Sequence, residues 1–142
     1  MKKARDIMTA NPQCITPEDS VTEAARIMRD SDVGVVPVVE DRGTMRLAGV
    51  VTDRDIAVRV VAEGRGQDCC ARDVMSSGLR TVSPEDGVDR VMDIMKDAQV
   101  RRVPVVEGDR LVGIIAQADV ATDLHSDRKT GDVVERISEP RR

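Results

Sequence analysis

Apolar and polar positions change their period several times along this chain, and the same order of changes occurs twice. Val21, Ala24, Ala25 and Met28 recur at helical spacing on one face, and Val88, Val91, Met92 and Met95 do so again further on. A short β segment ending at a proline precedes each, Gln13–Thr16 and then Arg80–Ser83. "TPEDSV" and "SPEDGV" predict helix starts, with Pro in the first turn and acids near the positive end of the dipole. β-branched runs follow at Val35–Val39 and Val103–Val106, each broken by a proline that suggests a sheet edge or bend. A turn holding Gly43, or Gly108 with Asp109, leads to a strand at Leu47–Val51 or Leu111–Ile115. A second helix is predicted at Arg54–Ala62 or Ala118–Leu124. Each half therefore reads β-α-β-β-α.

The duplication is visible residue by residue. "RDIM" (Arg5–Met8) returns as "RDVM" (Arg72–Met75), and "VVPVVE" (Val35–Glu40) as "RVPVVE" (Arg102–Glu107). From Arg5 to Glu40 roughly 16 of 36 positions are identical to those 67 further on. "DRGTMR" then adds three residues to the first copy, and the offset falls to 64. A unit of this size buries little surface alone, so two units packed sheet to sheet are expected to share a core. The chain divides into a first repeat at 1–62, a Gly-rich polar linker at 63–71, a second repeat at 72–127, and a charged tail at 128–142. The tail is expected to be partly disordered or to pack on a partner.

Composition narrows the chemistry. The net charge of −4 and the absence of Phe, Tyr and Trp argue against non-specific nucleic-acid binding and base stacking. No apolar run is long enough to span a bilayer, and "MKKARDIM" has no apolar signal region, so a cytoplasmic protein is expected. Cys14, Cys69 and Cys70 read as small buried or half-buried side chains, the adjacent pair being open to oxidation as the alternative. The one histidine, His125, reads as a surface residue near a helix end, and no metal-ligand spacing is present. Neither a nucleophilic triad nor a Walker-type phosphate loop is present, so no enzyme is expected.

The candidate chemistry lies in "GVVTDRDIAV" (Gly49–Val58) and "GIIAQADVAT" (Gly113–Thr122). Both carry an aspartate six positions after a glycine, Asp55 and Asp119. Thr52 in the first copy is replaced by Ala116 in the second. An aspartate at a helix start just past a strand can accept hydrogen bonds from ribose hydroxyls, and a nearby hydroxyl and free N–H groups suit phosphate or ribose oxygens. The plainer readings stay open. Asp55 and Asp119 can be dipole-stabilising acids, and Thr52 an ordinary N-cap. Met28, Met92 and Met95 read as core or dimer surface.

Two such repeats, each with an apolar-Pro-Val-Val strand and a glycine-to-aspartate motif, resemble the cystathionine-β-synthase (CBS) domain pair, or Bateman module. The resemblance covers about Ala4 to Leu124, and is nearest to stand-alone bacterial two-CBS proteins of the hypoxic-response type. It implies an α/β (α+β) fold of two repeats packed about a pseudo-twofold axis, with two clefts between them. Those clefts take AMP, ADP or ATP, and in some members NAD or S-adenosylmethionine. It implies a non-catalytic regulatory module needing no cofactor, a homodimer, and an unidentified protein partner. Arg101 and Arg102 then stand where the family often carries phosphate-binding basic residues, though they could instead pair with acids of a dimer partner. Adenine in the Asp119 cleft would lie against Val33, Gly34, Val35 and the Thr9–Ala10 region of the other repeat. Val100 and the Arg101–Arg102 backbone would border the base in the cleft of Thr52 and Asp55. The two sites should differ in affinity. The alternative is a ligand-free module for dimerisation and protein docking.

Overall fold

The computed structural model describes residues 2–66 and 68–123. His125, the last residue expected in the second helix and the charged tail lie outside the described residues. The elements are α1 (Ala4–Ile7), β1 (Thr9–Ala10), α2 (Val21–Ser31), β2 (Val35–Val39), β3 (Leu47–Thr52) and α3 (Asp53–Asp55). A π-helix, Ile56–Val61, continues α3. Then come α4 (Ala71–Val74), α5 (Val88–Ala98), β4 (Arg102–Glu107), β5 (Arg110–Ala116) and α6 (Gln117–Asp123).

Two compact units are present, and they do not follow the sequence repeat. One is Gln13–Leu79. The other joins Met1–Pro12 to Arg80–Arg142. In the first, β2 and β3 form an antiparallel pair. Ile15 bridges the outer side of β2 in parallel, and Ser76 bridges the outer side of β3. In the second, the sheet order is β1-β5-β4, with Val82 bridging β4. The expected strands before the first prolines are thus single bridges. Each unit is closed by a short arm: α1–β1 for one, and α4 with Ser76 for the other.

Both middle strands tolerate their proline for the same reason. The carbonyls of Pro37 and Pro104 face the side where Ile15 and Val82 donate to them, at 3.0 and 3.1 Å. The missing N–H faces that side too, where only one bridge forms and no donor is needed there. Both hairpins slip by one residue next to a glycine, between Val38 and Val39 and between Val105 and Val106. There the arms cross. A methyl group on Gly49 would stand 2.5 Å from the Ser76 carbonyl oxygen. One on Gly113 would collide with the Met8 sulfur and stand 3.0 Å from the Thr9 oxygen.

Each unit has its own aliphatic core. Ile15, Val21, Ala24, Val36, Val38, Val51, Val60, Ala71 and Val74 build one. Ala4, Val82, Val88, Val91, Met92, Ile94, Met95, Val103, Val105, Ile115 and Val120 build the other. The arms contribute to these cores through Ala71 and Val74, and through Ala4. Ala25, expected on the buried face of α2, is exposed, while Ile27 packs against the core.

Three further expectations change. "TPED" and "SPED" do not begin helices. Their aspartates fold back: Asp19 accepts from Thr16 N–H at 2.9 Å and Asp86 from Ser83 N–H at 2.8 Å. These bonds close turns, and the helices start after them, at Val21 and Val88. The helix expected over Arg54–Ala62 is α-helical for one turn only and then π-helical. The end of the expected linker is built into the fold. Val21 N–H donates to Cys69 O at 2.8 Å, Ala71 N–H donates to Asp19 O at 2.8 Å, and α4 begins at Ala71. Cys69 is buried, and Cys14 and Cys70 are half-buried. Burial pushes the Cys14 and Cys69 thiols up, which keeps them protonated and poorly nucleophilic at neutral pH.

Candidate functional site

Each hairpin delivers its motif to the same local arrangement. The last strand ends opposite the start of the middle strand: Thr52 pairs with Val35, and Ala116 with Arg102. The helix that follows is tied back by its own backbone, Asp53 N–H donating to Gly34 O at 3.0 Å and Gln117 N–H to Arg101 O at 2.7 Å. One unit thereby gathers Val33, Gly34, Val35, Thr52 and Asp55. The other gathers Val100, Arg101, Arg102, Ala116 and Asp119. Thr9 and Ala10 pair with Ile114 and Gly113 in the unit of Asp119.

Both motif aspartates stand in the first turn of a helix and reach back to the strand-end N–H three residues earlier. Asp55 is 9% exposed, and its Oδ2 accepts from Thr52 N–H at 2.9 Å. Thr52 Oγ1 in turn accepts from Asp55 N–H at 3.0 Å, which completes a capping box. Asp119 Oδ2 accepts from Ala116 N–H at 2.8 Å, and there is no hydroxyl to return the bond. This answers why the carboxylate is present in both copies while the hydroxyl is not. The acid alone satisfies a strand-end N–H, and the hydroxyl adds a second tie. In each aspartate the same oxygen is committed to backbone. Oδ1 of Asp55 lies 3.8 Å from Arg59 Nε.

The surroundings of the two motifs differ in charge. The Asp53 carboxylate sits over Gly34, 3.2 Å from where a β-carbon would be. The corresponding residues in the other unit are Gln117 and Arg101. A negative charge therefore borders the Asp55 motif, whereas Arg101 and Arg102 border that of Asp119. The sequence alone missed Asp53 and Arg59. The Asp55–Arg59 spacing of four residues was the available signal, because such residues share a helix face.

Elsewhere in the unit of Asp55, an open cleft of about 450 Å³ is lined by Val58, Arg59, Glu63, Arg65 and Asp73, with both charge signs represented. Among the described residues no group of three or more His, Cys, Asp or Glu could hold a metal ion. Nor is any helix among them long and apolar enough to cross a membrane.

With this geometry in place, comparison with known proteins is direct. The CBS domain family matches residues 4–62 and 71–126. The CBS domain-containing protein YhcV of Bacillus subtilis is 36% identical over 138 residues, covering 97% of this chain and 96% of that protein. The crystal structure of Hypoxic Response Protein I with two coordinated zinc ions superposes with a TM-score of 0.79 at 36% identity, covering 87% of this chain and 99% of that one. The CBS domain pair of protein MJ0100, solved with 5′-methylthioadenosine and S-adenosyl-L-methionine, gives 0.78 at 26% identity, over 90% of this chain and 99% of that one. Two matched repeats, two motif aspartates tied to their strand ends, and these likenesses lead to one conclusion: the chain belongs to the CBS domain family, as a tandem pair.

Proposed function

We propose that this chain is a regulatory module that binds adenosine-containing ligands and relays their presence to a protein partner. The observation that carries this reading is the second carboxylate oxygen, which takes no backbone bond at either motif. Asp55 and Asp119 are each fixed by Oδ2 at a strand end, and Oδ1 is the oxygen that a ribose hydroxyl would use. Bonds of that kind to a charged acceptor are worth about 1.5–3 kcal/mol. The related MJ0100 pair, solved with 5′-methylthioadenosine and S-adenosyl-L-methionine, supports the ligand class.

Charge argues for a division between the motifs. Arg101 and Arg102 beside Asp119 suit a phosphorylated adenosine. Asp53 beside Asp55 opposes a phosphate and suits an adenosine without one, such as 5′-methylthioadenosine. Thr52 keeps its hydroxyl hydrogen free to donate, since its oxygen already accepts from Asp55 N–H.

The test is calorimetric titration of ligand-free protein with AMP and with 5′-methylthioadenosine. Asp119→Asn is expected to weaken AMP, and Asp55→Asn the thioether, each by one to two orders of magnitude. Asparagine retains an acceptor for the cap, so loss of affinity can be told from loss of fold by the melting curve. Full affinity in both variants would remove the ribose assignment. The second reading, a ligand-free docking module that assembles with a second copy, is favoured by Val58 and Val61, which are 45% and 70% exposed. It gains if neither ligand binds the unsubstituted protein.

A further inference from the structure

Arg59 and Asp123 occupy the same place in the two repeats, four residues after the motif aspartate, with opposite charge. Each reaches the arm that completes its unit. Arg59 Nη1 donates to the Val74 carbonyl at 3.2 Å and lies 3.5 Å from that of Met75, at the end of α4. Asp123 Oδ1 meets Lys2 Nζ at 2.7 Å, just before α1. The position is an arm clamp in both units, built from a donor in one and an acceptor in the other.

Only one of the two clamps touches its motif. Arg59 Nε stands 3.8 Å from Asp55 Oδ1, the oxygen that Thr52 leaves uncommitted. Asp123 cannot serve Asp119 in this way, because like charges at this spacing repel. Its Oδ2 is buried and finds no hydrogen-bond partner among the described residues. The helices differ as well. Arg59 lies in the π-helical stretch, where Ala62 N–H donates to Ala57 O at 2.9 Å and Arg65 N–H to Val60 O at 2.9 Å. Such turns recur at functional positions in proteins. α6 is regular.

We propose that Arg59 is a positioning residue that couples ligand occupancy at Asp55 to the arm 71–76, and that the Asp119 half lacks this coupling. The proposal rests on the reading of Asp55 as the ribose acceptor. A hydroxyl that donates to Asp55 Oδ1 occupies the oxygen toward which Arg59 leans. The guanidinium then directs its donors to Val74 and Met75 and holds the arm more firmly. The arm's contact with β3 reports this directly: Ser76 N–H donates to Val50 O at 2.9 Å, and Val50 N–H donates to Ser76 O at 3.0 Å.

Amide hydrogen exchange on the full chain, with and without saturating 5′-methylthioadenosine, tests it. Ligand is expected to slow exchange at Ser76 and Val50 about twofold, the scale of one exposed charge pair. Arg59→Gln should bind the ligand within about threefold of the unsubstituted affinity yet lose the slowing. Arg59→Lys should restore part of it, and Asp123→Asn should leave it intact. Slowing that persists in Arg59→Gln would overturn the coupling. So would ligand binding with no response at Ser76 in the unsubstituted protein, while leaving the ribose reading in place. If the unsubstituted protein binds no adenosine ligand, both readings fall together. The clamp alone would then survive as faster Ser76 exchange in unliganded Arg59→Gln.

Discussion

Three aspartates in each repeat perform the same local task. Asp6 and Asp73, Asp19 and Asp86, and Asp55 and Asp119 each accept a hydrogen bond from the backbone N–H three residues earlier. The motif aspartate is thus one member of a set, and Asp55 adds to it a second oxygen that meets Arg59 Nε at 3.8 Å. The sequence could mark Asp55 and Asp119 as candidates, but that one oxygen of each is taken by the strand-end N–H depends on backbone torsions there. The two motif glycines stand where the arms cross. The two crossings differ in what they touch. At Gly49 the obstacle is the Ser76 carbonyl; at Gly113 it is chiefly the flexible Met8 side chain. Gly49→Ala is therefore expected to cost about 1–3 kcal/mol, and Gly113→Ala clearly less, as read from chemical denaturation midpoints. Equal losses would mean that Met8 has no room to move.

At the scale of elements, β2 to β5 and the long helices α2 and α5 follow from apolar patterning, because a half-buried helix and a fully buried strand leave different patterns. Short elements do not. α1 and α4 span four residues each, too few to show a period, although their "RDIM" and "RDVM" repeat pointed to a shared role. The starts of α2 and α5 were misplaced because a proline followed by acids fits a first helical turn as well as a turn closed by a side chain. The side-chain closure has a consequence for acid stability. The Thr16 N–H, with help from Arg42 and against partial burial, holds the Asp19 carboxyl below its ordinary value of 3.8. A carboxyl depressed in the folded state stabilises fully above the unfolded value and loses that contribution as pH falls through the folded one. Asp19→Asn should thus flatten the decline of stability below pH 3.8, with little change in shape near neutrality. An unaltered acid limb in thermal melts from pH 5 to 2 would show that the turn does not govern it.

For the whole molecule, the unit boundary and the repeat boundary disagree by one arm. The arm 71–79 completes the unit that precedes it in sequence, whereas the arm 2–12 completes the unit that lies beyond it. Backbone ties hold the latter: Ala4 N–H to Asp86 O at 2.7 Å, Arg5 N–H to Pro84 O at 3.1 Å, and β1 along β5. Ion pairs of Lys3 and Arg5 with Glu85, and of Lys2 with Asp123, add to them. Deleting residues 2–12 is expected to raise exchange at Ile114 and Ala4-contacting core amides of the 80–123 body while sparing Val36 and Val51. Equal loosening of both bodies would show that they unfold as one. The same arrangement sets an order on the ribosome. The unit 13–79 is complete once Leu79 has emerged, but β1 must wait for Gly113 and Ile114, about 105 residues after its own synthesis. At about 5–20 residues per second that is a delay of roughly 5–20 s. For about the last third of that interval, after Leu79 and before Gly113 and Ile114, the nascent chain carries one finished unit and an unmatched β1, a natural handle for a chaperone.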